Sequence, residues 1–125
     1  ALSDFGDMVR TSTAAAAEDE ADLTKVFSKK DYFEALARGY IGRAAFLTRA
    51  EIDNLVFAGR LSTFEVGVRF LTDYINGDVY FHTAYPDHNL IRARNQFKMV
   101  ESLEENAEAY EKIVSELSSC APHRE

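Results

Sequence analysis

Three stretches of the chain repeat apolar residues at the three- and four-residue steps that line one face of a helix. In the first, Phe33, Leu36, Ala37, Tyr40, Ile41 and Ala44 keep that spacing. Ser28, with Asp31 three residues on, resembles a capping box with aspartate in the place of glutamate, and the pattern predicts a helix over residues 29–45. The second stretch opens on Thr48-Arg49-Ala50-Glu51, a full capping box whose hydroxyl and carboxylate bond the backbone N–H groups left free at a helix start. A central helix is predicted from Arg49 through Ile52, Leu55, Val56, Gly59, Thr63, Val66, Phe70, Leu71, Tyr74 and Ile75. It should bend near Gly59 and close at Asn76-Gly77, where a left-handed backbone is tolerated. The third stretch follows Asp87 as N-cap, with Leu90, Ala93, Phe97, Val100, Leu103, Ala107, Tyr110, Val114 and Leu117 in helical register. It predicts one long helix or two in succession.

The intervening segments carry no helical stripe. Asp78 to Pro86 reads DVYFHTAYP; its aromatic and β-branched residues, with a proline that disfavours helix at Tyr85, predict a structured loop over residues 78–87. Ala14 to Asp22 reads AAAAEDEAD, good helix formers joined to an acidic cluster, and is either a short exposed helix or a mobile connector. The expected fold is therefore all-α: a single helical segment over residues 1–125, with three principal helices and one structured loop. An unbroken third helix would reach roughly 45 Å, longer than a compact domain of this size is wide. Part of it is then expected to pack on another portion of the same protein, or on a second copy in a homodimer through the Phe97 to Leu117 stripe.

Composition narrows the partners. Hydrophobic residues make up 46% of the 125, with nine Phe and six Tyr, which supplies one core. Fourteen Lys and Arg against twenty-one Asp and Glu give a net charge of -7, so nucleic acid and anionic membrane surfaces are repelled. There is no apolar run to span a bilayer and no secretory signal. The lone Cys120 has no partner for an internal disulfide, which points to a reducing compartment and a cytoplasmic location. The abrupt opening ALSDFGD, without Met, reads as the middle of a patterned sequence and predicts a piece of a larger protein.

Candidate chemistry is sparse. Asp4-Phe5-Gly6 matches the magnesium-binding triplet of protein kinases, but the downstream Ala-Pro-Glu element is absent, and Asp4 and Asp7 read as caps at a helix start. Glu18, Asp19, Glu20 and Asp22 lack the alternating ligands and central glycine of a calcium loop and read as a solvated acidic face. His82, His88, His123 and Cys120 do not have metal-ligand spacing. No phosphate-cradling glycine loop or nucleophile motif appears, so no catalytic residue and no metal ligand is assigned. The most informative stretch is Phe64 to Asn89, where a helix bearing Arg69, Asp73 and Asp78 runs into an aromatic loop. Arg and Asp bond sugar hydroxyls while Tyr or Phe covers the apolar face of the ring. The alternative is that Arg69 pairs with Glu65 or Asp73 one helical turn away and the aromatics are core.

The run FEVGVRFLTDYINGDVYFHTAYPDHNLIRARNQFKMVESLEE, with SDFGDMVR and TSTAAAAEDEADLTKV before it in matching order, resembles the C-terminal part of aminoglycoside-phosphotransferase-like small-molecule kinases. The resemblance is nearest to the N-acetylhexosamine 1-kinases, some of which are labelled mucin desulfatases. It implies a two-lobed kinase that holds ATP and Mg between its lobes and an acceptor sugar against the helical C-terminal lobe, of which this chain is the distal part. The catalytic His-x-Asp-x-x-x-x-Asn loop and the magnesium-binding Asp would lie upstream, in the missing N-terminal portion. The segment would thus bind no cofactor and be inactive alone. The resemblance further implies Arg69 and Tyr80 as sugar contacts, with Asp4 and Asp7 bracing the active-site loops. Where relatives carry an aromatic residue after the DFGD helix this chain has Thr11, which cannot stack on a sugar and leaves the acceptor's identity open.

Overall fold

The computed structural model describes residues 2–43 and 47–119. Their helices are α1 (Leu2–Ser12), α2 (Lys30–Arg43), α3 (Arg49–Asp53), α4 (Leu55–Ile75), α5 (His88–Glu105) and α6 (Ala107–Ser118), with a single 3-10 turn at Leu23–Lys25. No β-strand occurs among the described residues; one isolated antiparallel bridge joins Ala14 to Ser28. The chain is all-α. The predicted ends at residues 44 and 45, together with Cys120, His123 and the polar tail beyond Ser119, lie outside the described residues.

The three predicted stripes are helical, and asparagines divide two of them. Thr48 and Glu51 form the full capping box at 3.1 and 3.0 Å, starting α3 at Arg49 as expected. The helix then breaks at Asn54, whose side-chain amide donates to the Ala50 carbonyl at 2.8 Å. The bend predicted at Gly59 is not the interruption: α4 is continuous through it. Asn106 ends α5 in the same way, donating to the Ser102 carbonyl at 2.8 Å. The third stripe is thus two helices in succession, and α6 packs against α2. A short polar side chain that bonds its own backbone competes with the helical ladder.

The core is assembled at two crossings. Between α1 and α4 the backbones come close because of glycines. A Cβ on Gly6 would lie 2.6 Å from the Ala58 carbonyl oxygen, and one on Gly59 would lie 2.8 Å from Val9. The Asp4-Phe5-Gly6 triplet is therefore helical, with Phe5 fully buried and Gly6 serving contact with α4. Gly6→Ala is expected to force the helices apart and destabilise the fold by about 1–3 kcal/mol in denaturant titration; an unchanged midpoint would contradict the close approach.

At the other crossing, the Phe33 ring of α2 stacks on Tyr110 of α6 with centroids 3.9 Å apart and planes 3° from parallel. Both rings are fully buried. The Tyr110 hydroxyl meets Ser28 Oγ at 2.7 Å, Ser28 Oγ meets Thr13 Oγ1 at 2.8 Å, and the Ser28 N–H donates to Ser102 Oγ at 2.8 Å. Ser28 is thus not the cap of α2 that its spacing from Asp31 predicts. Its hydroxyl is drawn into a buried polar chain, where an unpaired group would be costly, and α2 begins after Lys29, whose carbonyl accepts from the Phe33 N–H.

The acidic segment is neither a helix nor a free connector. Glu18 pairs with Arg10 at 3.1 Å, and Asp19 with the buried His88 at 3.0 Å. Asn95 donates to the carbonyls of Ala17 and Glu20 at 2.9 and 3.2 Å, and Asp22 caps the 3-10 turn. Because the Ala84 N–H donates to His88 Nδ1, that nitrogen is the acceptor of the ring and Nε2 carries the proton toward Asp19.

Leu103, Tyr110 and Val114 of the C-terminal stripe are core residues, while Phe97, Val100, Ala107 and Leu117 are only partly buried. The uncovered apolar row is on α4, where Phe57, Leu61, Phe64, Val68 and Ile75 are 39–73% exposed at steps of three, four and seven residues.

Candidate functional site

The site is built around one buried carboxylate. Asp73, on the last turns of α4, is 4% exposed. The chain leaves the helix through Asn76 and reverses at Gly77 and Asp78, whose φ angles are 95° and 62°. The sequence predicts the glycine there; the second left-handed residue, Asp78, is an addition. The reversal brings three successive amides back onto Asp73. Val79 and Tyr80 N–H donate to Oδ1 at 3.1 and 2.8 Å, and Phe81 N–H to Oδ2 at 3.0 Å. Asn89 Nδ2, from the first turn of α5, donates to Asp73 Oδ2 at 2.8 Å and to Asp78 Oδ1 at 3.0 Å.

Burial alone would raise the Asp73 pKa, but the hydrogen bonds from Phe81, Tyr80, Asn89 and Val79 outweigh it and hold the carboxyl below its ordinary value of 3.8. A lowered native pKa means that this stabilisation is present above the unfolded value and is lost as pH falls through the native one. The loop is therefore secure at neutral pH and loosens only in acid below 3.8.

The loop so fixed forms a concavity of about 350 Å³ against α4, lined by Arg69, Thr72, Asp73, Asn76, Val79, Tyr80 and Phe81. Both predicted contacts, Arg69 and Tyr80, stand in this groove. Tyr80 is 73% exposed, with its ring edge-on to Phe81 at 4.8 Å. The Arg69 guanidinium lies over the Phe81 ring at 5.8 Å and forms no ion pair among the described residues, with neither Glu65 nor Asp73. Asp73 is not available to a ligand as a second polar contact, since its oxygens are committed to the loop. The arrangement offers a forked cationic donor beside an exposed phenol and aromatic walls, the composition of a binding site for a small polar molecule.

A second concavity of about 380 Å³ shares Arg69 and Phe81 with the first and extends to Asp7, Arg10, Glu18, Phe70, His82 and Arg92. Asp7 therefore reaches the neighbourhood of Arg69, but it lies within α1 and bonds Arg10 at 3.1 Å, so it does not cap the helix start. Asp4 is in the first turn of α1, is exposed, and lines neither concavity. Thr11 donates its hydroxyl to the Asp7 carbonyl at 3.0 Å.

No model of a known protein family matches the chain. Among the described residues no three His, Cys, Asp or Glu side chains gather as a metal-binding group, and no helix among them is long and apolar enough to cross a membrane.

Sequence reasoning missed Asn89, Phe81 and Arg92. Asn89 is fully buried, and a polar residue at a core-facing helical position is a signal that a buried partner awaits it. Asp87 is the N-cap of α5 as expected, but its side chain makes no capping bond and accepts from the Tyr74 hydroxyl at 3.3 Å.

Proposed function

We propose that this chain is the distal, C-terminal part of an ATP-dependent small-molecule kinase and supplies part of the acceptor-sugar site, with an N-acetylhexosamine as the acceptor. The observation that carries the reading is the groove in which Arg69, without an ion pair among the described residues, stands with Tyr80 beside the Asp73-anchored loop. In that role Arg69 donates hydrogen bonds to ring hydroxyls and Tyr80 contributes its ring or hydroxyl.

ATP and Mg belong, in this reading, to residues outside the chain. The DFG triplet here lies in a helix with Phe5 and Gly6 buried. The chain's own contribution is to bind and orient the acceptor; the nucleotide lobe supplies the base and the stabilisation of phosphoryl charge. Joined to that lobe, the chain should phosphorylate the sugar. Arg69→Ala should then raise the acceptor KM by about tenfold, the worth of a lost hydrogen bond to a charged group; an unchanged KM removes Arg69 from the site.

A second reading, an autonomous helical interaction module, is favoured by the exposed apolar row on α4, because contiguous apolar surface of this kind is commonly covered by a partner. It predicts self-association in sedimentation that Leu61→Glu abolishes. A monomer at all concentrations counts against it.

A further inference from the structure

We infer that the concavity on the Phe81 side of Arg69 is an anion site, which takes a carboxylate or phosphate group carried by a small molecule. Three guanidinium groups line it against two carboxylates. Both carboxylates are already spoken for by one of the three: Arg10 bonds Asp7 at 3.1 Å and Glu18 at 3.1 Å. Arg69 and Arg92 are left without a neutralising partner among the described residues.

The way these two are held supports the assignment. The Phe70 and Phe81 rings touch, with centroids 4.8 Å apart. Arg69 lies over Phe81 at 5.8 Å and Arg92 over Phe70 at 5.5 Å, so one aromatic pair carries a guanidinium on each ring. Cation–π contact orients a guanidinium without cancelling its charge. Arg92 is further fixed through Nη1, which donates to the His82 carbonyl at 2.9 Å and to Asn89 Oδ1 at 3.1 Å, both neutral acceptors; Nη2 carries no bond among the described residues. Asn89 is itself locked by Asp73, so the bond network that anchors the loop also aims Arg92. In a chain of net charge -7, two ordered and unneutralised arginines in one concavity are a local reversal of sign, and planar guanidinium forks match carboxylate and phosphate oxygens. The ring pair at their back excludes water from one side, which strengthens the attraction.

The inference stands apart from the kinase reading, because it requires only that an anion bind. The test is titration of the chain with inorganic phosphate, with glucuronate and with neutral N-acetylglucosamine, followed by amide shifts at residues 69–92 in low salt and again with added sodium chloride. Saturable binding of phosphate or glucuronate is expected, weakened by salt and reduced about tenfold or more by Arg69→Gln and by Arg92→Gln. Binding of phosphate alone assigns a phosphate ester, and binding of glucuronate assigns an acidic sugar. Arg92 packs on Phe70 and its loss threatens the fold, whereas Arg69 is exposed; Arg69→Gln therefore keeps the test decisive even if the other variant unfolds. Absence of saturable binding by either anion, or binding that Arg69→Gln leaves unchanged, overturns the inference. A neutral sugar that shifts Tyr80 while both anions fail would overturn it and leave the proposed acceptor site intact.

Discussion

Asp73→Ala is expected to release the loop that forms the candidate site. The substitution removes the acceptor of three consecutive backbone N–H groups and of Asn89 at one stroke, and leaves the turn at left-handed Gly77 and Asp78 to the Gly77 and Asp78 N–H bonds to the Tyr74 and Asp73 carbonyls and to Asn89 on Asp78. The melting temperature should fall by roughly 5–10 °C, the scale for losing several bonds to one charged group in a domain of this size. The amides of Val79, Tyr80 and Phe81 should lose their protection from hydrogen exchange, while the Phe33–Tyr110 crossing stays protected. Asp73→Asn should behave similarly at the loop, because one amide oxygen cannot replace two carboxylate oxygens. Wild-type protein should approach the same state only in acid, as pH falls through the lowered native pKa of this carboxyl. Unaltered exchange at residues 79–81 in the alanine variant would mean that the loop is held by something else.

Tyr110→Ala is expected to have the larger effect on global stability. The ring is fully buried and stacked face to face on Phe33, and its hydroxyl ends the chain through Ser28 to Thr13. Truncation should cost about 3–5 kcal/mol, the range for deleting a large aromatic from a core. Tyr110→Phe keeps the ring and should cost only about 1 kcal/mol, plus whatever Ser28 loses if its hydroxyl finds no other partner. Denaturant titration of the two variants separates packing from hydrogen bonding; equal losses would show that the hydroxyl, and not the stack, governs the crossing.

The fold was legible where apolar spacing and local capping chemistry agree. Thr48 and Glu51 started α3 at the expected residue, and the stripe through Leu103, Tyr110 and Val114 faces the core as its period requires. It was illegible where a polar side chain answers to a distant partner. Ser28 carries a local capping signal, yet Tyr110 and Thr13, far away in sequence, claim its hydroxyl. Asn54 and Asn106 sit inside unbroken apolar periods, and periodicity does not register a side chain that bonds its own backbone. Ile75 keeps the helical spacing of the α4 stripe but is 73% exposed, because the chain turns away at Gly77 and nothing described packs beyond it.

The site follows the same division. Arg69 and Tyr80 could be nominated only through the family resemblance of the run that carries them, and the structure brings both to one groove. The role of Asp73 could not, since a carboxylate one turn from Arg69 looks like its ion-pair partner until the loop is seen to fold back on it. Asn89 and Arg92 enter through α5 packing on α4; the sequence marks Asn89 only as a polar residue on a core-facing position and does not name its partner.

The central claim is that the groove at Arg69 and Tyr80 receives an acceptor sugar. The most direct measurement is a titration of the chain with N-acetylglucosamine, and of the Arg69→Ala variant in parallel, followed through the backbone amide signals of residues 69–81. The account predicts saturable shifts centred on Arg69, Tyr80 and Phe81 in the wild type, lost or moved to at least about tenfold higher sugar concentration in the variant. Shifts absent from these residues, or identical in the two proteins, would contradict it.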